Sequence, residues 1–238
     1  MKNQDIIIRD PFILLVGDTY YMYGSNSLTL WEPGEESFYC YKSRDLENWE
    51  GPIEIFHKPE GFFADRNYWA PECIAYKGNY YLITTFASAD TKKGIYILKA
   101  DHPEGPFLPY SSRLTPEDWT CIDGTVYVDG ERIFLVYSHS FEDSPTGDMC
   151  CQELSADLTH SLTDPSPVLG AGSSLGASGP LCQNGIRDGR RRLFYRRAVP
   201  VPKGREAVYD LVQLGYQRVR RRSGSFRKRN RAGTMDPA

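Results

Sequence analysis

The stretch DPFILLVGDTYYMYG, residues 10–24, decides the fold, because it returns twice. Residues 71–85 read PECIAYKGNYYLITT, and residues 123–137 read DGTVYVDGERIFLVY. Each copy is an apolar, β-branched run, a turn carrying glycine, and a second run rich in Tyr, Phe, Ile and Val. That is the signature of a β-hairpin. The turn glycines Gly17, Gly78 and Gly130 lie 61 and 52 residues apart.

A third strand-like run follows each hairpin: SFYCYKSRDL (37–46), GIYILKAD (94–101) and DMCCQELSADL (148–158). Each closes on Ser or Ala and then Asp, a polar turn. The unit is thus at least three antiparallel strands in about 50–60 residues, the period and content of β-propeller blades. A parallel α/β fold would need amphipathic helices of 10–15 residues between strands, and residues 1–170 read without any. The expected fold class is all-β, a five-bladed β-propeller type left incomplete. About three blades are recognisable, followed by an irregular basic tail. A ring of five at this period needs roughly 280 residues, more than the 238 present.

Aligned on the turn glycines, Asp10 and Asp123 each fall seven residues before the glycine, and Pro71, next to Glu72, falls at the same place. The first strand of a propeller blade lines the central channel, so equivalent residues converge at one end of the axis. Asp10 sits within an apolar run, where a carboxylate is costly unless paired or used. Two converging carboxylates suit glycoside hydrolysis. The bland alternative is that Asp10 and Asp123 are turn formers at strand starts. Phe62, Phe63, Tyr68 and Trp69 cluster around Asp65, Arg66 and Asn67. Flat aromatic faces beside hydrogen-bonding groups suit a sugar site; blade packing is the competing role for any one Phe or Tyr.

The stretches RDPF (9–12), SRDLENWEGP (43–52), FFADRNYWAPE (62–72) and CIDGTVYVD (121–129) together resemble glycoside hydrolase family 43 over roughly residues 5–169. The resemblance implies a five-bladed propeller acting on arabinan, xylan and related side chains by an inverting, two-carboxylate mechanism. It implies that Asp10 is the general base activating water and that Asp123 orients the acid and raises its pKa. The family's acid, a Glu before Gly-Pro or Ala-Pro in the next blade, has no clean counterpart; the candidate is Asp188 in IRDG (186–189). Arg66, Asn67, Trp69 and Glu72 are candidate substrate-binding residues, as is His139, unless that imidazole is simply packed. No cofactor is expected. A channel calcium ion is a family feature whose ligands, with a His on a late blade, are not legible here. A catalytically dead, carbohydrate-binding propeller is the alternative function.

Composition bounds the rest. The chain is 40% hydrophobic and 13% aromatic, enough for a sizeable core. No run of 18 apolar residues predicts a membrane helix, and MKNQDIII lacks a signal-peptide core. The expectation is a cytoplasmic chain, or a mature form stripped of its signal, with a carbohydrate as partner, no nucleic acid and no membrane; oligomeric state is not readable. The six cysteines, Cys40, Cys73, Cys121, Cys150, Cys151 and Cys182, form no CxxC pair and read as buried or idle thiols.

The net charge of −3 hides an asymmetry. Residues 1–184 carry 12 Lys+Arg against 27 Asp+Glu, and residues 185–238 carry 16 against 4. The division is a propeller catalytic domain over 1–169 and an aberrant or disordered segment over 170–238. A basic nucleic-acid arm, with steep salt dependence, is one reading of that segment. A shifted reading frame explains more. Read one base later, permissible codons from inside Val208 spell Phe-Met-Ile-Trp-Ser-Ser, and from inside Arg218 spell Gly-Tyr-Ala-Val-Gly, similar to a further blade. Three unclosed blades expose two sheet edges, so an aggregation-prone chain with little activity is expected.

Overall fold

The computed structural model describes residues 1–26, 36–144 and 147–170. A short 3-10 turn, Asn3–Asp5, precedes three four-stranded antiparallel sheets. The first holds β1 (Arg9–Val16), β2 (Thr19–Ser25), β3 (Ser37–Ser43) and β4 (Glu50–His57). The second holds β5 (Arg66–Tyr76), β6 (Asn79–Ala87), β7 (Gly94–Ala100) and β8 (Leu108–Pro109). The third holds β9 (Cys121–Asp129), β10 (Arg132–His139), β11 (Asp148–Leu154) and β12 (Ser166–Gly170). In each sheet the strands pair in chain order. These are propeller blades, three of them, as the repeats predict. Each carries one strand more than the sequence pattern made plain.

The blades stack face to face. β1 lies against β5 and β5 against β9, while β2 meets β5 and β6 meets β9. A middle strand is therefore covered on both faces, and its side chains divide by parity. On β6 and β7, Leu82, Phe86, Tyr96 and Leu98 join Tyr23, Phe38, Cys40, Ile55 and Phe56 of the first blade in one core. Tyr81, Ile83, Ile95 and Ile97 join Ile133, Leu135, Tyr137 and Cys150 of the third in another. This double burial explains why these strands read as near-continuous apolar runs rather than alternating ones. Phe62 and Tyr68 belong to the first of these cores, with Tyr68 against Phe86 at 4.9 Å and its hydroxyl donating to the Ala64 carbonyl. Two of the four aromatics expected at a sugar site are thus blade packing.

Five of the cysteines are buried free thiols, and burial pushes Cys40, Cys73 and Cys121 up to about 12. Cys182 lies outside the described residues, as does the whole segment 171–238 on which the expectation of an aberrant tail falls.

The polar turns that close the third strands are small hydrogen-bonded units. Ser43 Oγ accepts from the Asp45 and Leu46 amides, and Asp45 Oδ1 accepts from those of Glu47 and Asn48. Ser155 and Asp157 repeat the device in the third blade, accepting from Thr159 and His160. In both, the leucine after Asp turns left-handed, with φ of 62° at Leu46 and 67° at Leu158, and is buried.

Candidate active site

The three hairpin turns differ by one residue in where their glycine sits. Gly17-Asp18 and Gly130-Glu131 lead with glycine; Lys77-Gly78 ends with it. Counted from the first residue of each turn, the position seven residues earlier is Asp10, Ala70 and Asp123. All three have left-handed backbones, with φ of 51°, 43° and 56°. All three lie where strand register is broken: between Arg9 and Phe12, between Trp69 and Glu72, and opposite Val136–Ser138. The second blade's counterpart of the aspartates is therefore Ala70, not the Pro71 that alignment on glycines selects. A non-glycine residue pays about 1–2 kcal/mol to adopt this conformation. Asp tolerates it better than Ala, because its short polar side chain bonds locally.

A repeated hydroxyl holds the bulges. Six residues into the second strand stand Ser25 and Thr85, both buried. Ser25 Oγ accepts from the Ala70 amide of the next blade at 2.8 Å. Thr85 Oγ1 accepts from the Asp123 amide at 3.3 Å. Each blade thus pins the left-handed residue of its successor.

The acidic groups differ in environment. Asp10 is exposed, its side chain 57% accessible, with Oδ2 3.5 Å from the Arg9 guanidinium. Its apolar neighbours do not bury it: it sits at a left-handed break in the register of β1. Asp123 reaches solvent yet is ringed by protein: that burial raises its pKa, the charge of Asp10 raises it further, and Arg9 opposes both. Asp10 and Asp123, from different blades, are therefore close enough to feel each other. Glu72 completes the group. Burial pushes its carboxyl up to about 7, and the charge of Asp123 adds to the rise. A hydrogen bond with the Thr125 side chain acts the other way.

Trp69 borders this cluster. The Arg9 guanidinium lies 6.0 Å from its ring centroid and the Lys93 ammonium 5.2 Å. Lys93 also binds both Glu142 carboxylate oxygens, at 2.5 and 2.7 Å. Arg9 thus connects Asp10, Asp123 and Trp69. Thr125 and Lys93 carry no motif that would have singled them out. Thr125 has a positional signal only: it stands two residues past Asp123, as Glu72 stands two past Ala70.

The remaining candidates lie elsewhere in the contact network. Arg66 pairs with its neighbour Asp65, Nε to Oδ1 at 2.7 Å, and Asn67 takes φ of 59°. His139 is a packed imidazole, 12% accessible, stacked on Trp119 with centroids 4.0 Å apart and with Nε2 2.7 Å from Asp143 Oδ1. That pair ties the loop after β10 to Lys92 and the Thr120 amide; among the described residues no contact links His139 to the carboxylates. Asp188 lies outside the described residues. Among the described residues no three His, Cys, Asp or Glu side chains are gathered to hold a metal ion.

Comparison with known proteins agrees with this architecture. The model of the glycosyl hydrolases family 43 matches residues 6–185. The chain belongs to that family. Among solved structures, an endo-arabinase from Bacteroides thetaiotaomicron is 32% identical with a TM-score of 0.66, over 72% of this chain and 59% of that one. An endo-1,4-beta-xylanase from the same organism is 22% identical with a TM-score of 0.55, over 71% and 55%. An exo-beta-1,3-galactanase from Phanerochaete chrysosporium is 19% identical with a TM-score of 0.55, over 70% and 39%. The last two, at such identity, speak to fold alone. This family 43 chain matches about six-tenths of the endo-arabinase's length or less of the others. No curated protein matches it.

Proposed function

We propose that this family 43 protein is a glycoside hydrolase acting on arabinose- or xylose-containing glycosides by an inverting mechanism. One observation carries the reading. Asp10 and Asp123 occupy the same left-handed bulge in different blades and are electrostatically coupled.

In an inverting hydrolase one carboxylate takes a proton from water while an acid on the opposite side protonates the leaving oxygen, with about 6.5–9.5 Å between them. Asp10, exposed and beside Arg9, suits the first task, since water reaches it freely. Asp123, held by the Thr85 hydroxyl and surrounded by protein, suits a group that raises the acid's pKa by its own charge. Asp188 is the acid proposed. Trp69 offers an aromatic face beside Arg9, the pairing of apolar surface and polar groups that sugars take. The arabinose preference draws support from the 32% identity to an endo-arabinase.

The test is hydrolysis of aryl α-L-arabinofuranoside, aryl β-xyloside and aryl β-galactoside by the full chain, with the anomer of the first-formed sugar read by NMR. Release from the first or second with inversion is expected. Exclusive release from the galactoside would replace the substrate class. Binding of the sugars without turnover would make this a carbohydrate-binding propeller.

A further inference from the structure

We infer that Lys93 is a positioning residue of this site: clasped by Glu142 of the third blade, it fixes the Trp69 ring against the strand that carries Asp123. The inference deepens the hydrolase reading and rests on it for its kinetic arm only.

The strand ladder brings Lys93 to both groups. Trp69 of β5 pairs with Thr85 of β6, and Thr85 with Ile95 of β7. Lys93 directly precedes β7, two residues before Ile95. Its ammonium returns across the blade to lie 5.2 Å from the Trp69 ring centroid. Its carbonyl meets the third blade, accepting from the Cys121 amide at 2.9 Å and from the Arg113 guanidinium at 2.8 Å. Cys121 opens β9, two residues before Asp123. The Asp123 amide in turn donates to Thr85 Oγ1 at 3.3 Å. The contacts run in a circuit from Trp69 through Thr85, Asp123, Cys121 and Lys93, and the Lys93 ammonium closes it.

Glu142 decides where that ammonium sits. A lysine side chain is flexible unless its end is held. Here both Glu142 carboxylate oxygens hold it, at 2.5 and 2.7 Å, and the side chain is 16% accessible. The adjoining pair, Lys92 with Asp143 at 3.0 Å, and the Thr120 amide donating to Asp143 at 2.6 Å fix the loop from which Glu142 projects. An ion pair at a surface adds little to stability, so the consequence of this one falls on what the ammonium touches. That is the Trp69 ring. Its other cation, Arg9, is 3.5 Å from Asp10. Two cation–π contacts thus bear on one ring, one leading to Asp10 and the other to the strand of Asp123. A sugar stacked on that ring takes its place relative to both aspartates from these contacts.

Fluorine NMR of the full chain carrying 5-fluorotryptophan tests the contact, with the Trp69 resonance assigned by its loss in Trp69→Phe. Lys93→Met and Glu142→Gln should each move that resonance. Lys93→Arg, which keeps a cation over the ring and can still bind both carboxylate oxygens, should move it less. The Trp49 resonance, from the first blade, should stay in place throughout and reports that each variant is folded. A Trp69 resonance unmoved by both Lys93→Met and Glu142→Gln overturns the inference, as does one that moves as far in Lys93→Arg as in Lys93→Met. In the kinetic arm, Lys93→Met should raise KM for the best aryl glycoside about 2–5-fold, with a smaller change in kcat, and Lys93→Arg should restore it. An unchanged KM in Lys93→Met counts against the inference. A chain whose Trp69 resonance responds as expected but which hydrolyses nothing would sink the hydrolase reading and leave the Lys93 clasp standing.

Discussion

Phe12 and Glu72 occupy one slot in successive blades, and their fates differ completely. Phe12, partly buried, packs against the core between the first two blades. Glu72 sits at the next interface, faces a second carboxyl and is held near neutrality by burial. The backbone around them is the same: a left-handed residue, a broken register, and, for the second and third blades, a hydroxyl of the preceding blade pinning the bulge. The propeller repeat therefore supplies identical sockets, and the chemistry comes from which socket receives a charge. A carboxyl placed in a socket with an apolar far wall is only a cost; one placed opposite Thr125 and Asp123 becomes a titrating group.

The largest effect is expected at the exposed end of the cluster. Asp10→Asn should lower turnover of the best aryl glycoside by about 10²–10⁴-fold while leaving the thermal transition in place, since the side chain is open to solvent. Loss of folding in that variant would make Asp10 structural. Phe12→Glu moves the charge into the wrong socket. It should destabilise by about 3–5 kcal/mol in chemical denaturation at pH 8.

Glu72→Gln runs the opposite way. The folded value of about 7 lies above the ordinary 4.5, so folding favours the protonated form. The penalty of the ionised form grows as pH rises past 4.5 and is complete above 7. Glu72→Gln removes it, and should raise stability at pH 8 by up to about 3 kcal/mol with no gain at pH 4. A gain independent of pH would show that charge is not the cause.

The pinning hydroxyls come next. Ser25→Ala and Thr85→Val should each cost about 1 kcal/mol by leaving a partly buried amide without its partner, and only Thr85→Val, which loosens Asp123, should also reduce activity. The smallest effect belongs to Ala70. With φ of 43°, Ala70→Gly relieves left-handed strain against glycine's larger entropy loss, for a net gain under about 1 kcal/mol. The same change at Tyr21 or Leu82, in ordinary strand, would destabilise.

Much of this was legible in the residues. The three hairpins announce themselves because paired β-branched and aromatic runs around a glycine turn have few other solutions. Asp10 and Asp123 stand out because each lies a constant distance before its turn. The fourth strands were not legible: β8 is two residues long and ends in proline, and β4 and β12 carry little apolar pattern. The error of one residue in the second blade, Pro71 for Ala70, arose because glycine takes the second turn position there, with Lys77 itself at φ of 47°. Aromatic clustering misled as well: Phe62 and Tyr68 look like sugar-facing rings in sequence, and only packing shows them filling a core.

Local pattern, then, determined the blades, their repeat and the recurrence of aspartate at one place in them, since strand alternation and turn chemistry are properties of neighbours along the chain. The tertiary structure decided which carboxyls meet, that Asp10 is exposed while Glu72 is half-buried, and that Arg9, Thr125 and Trp69 join them. Those outcomes depend on burial and on Coulomb terms between groups more than fifty residues apart in sequence, and only the stacking of one blade on the next sets those distances.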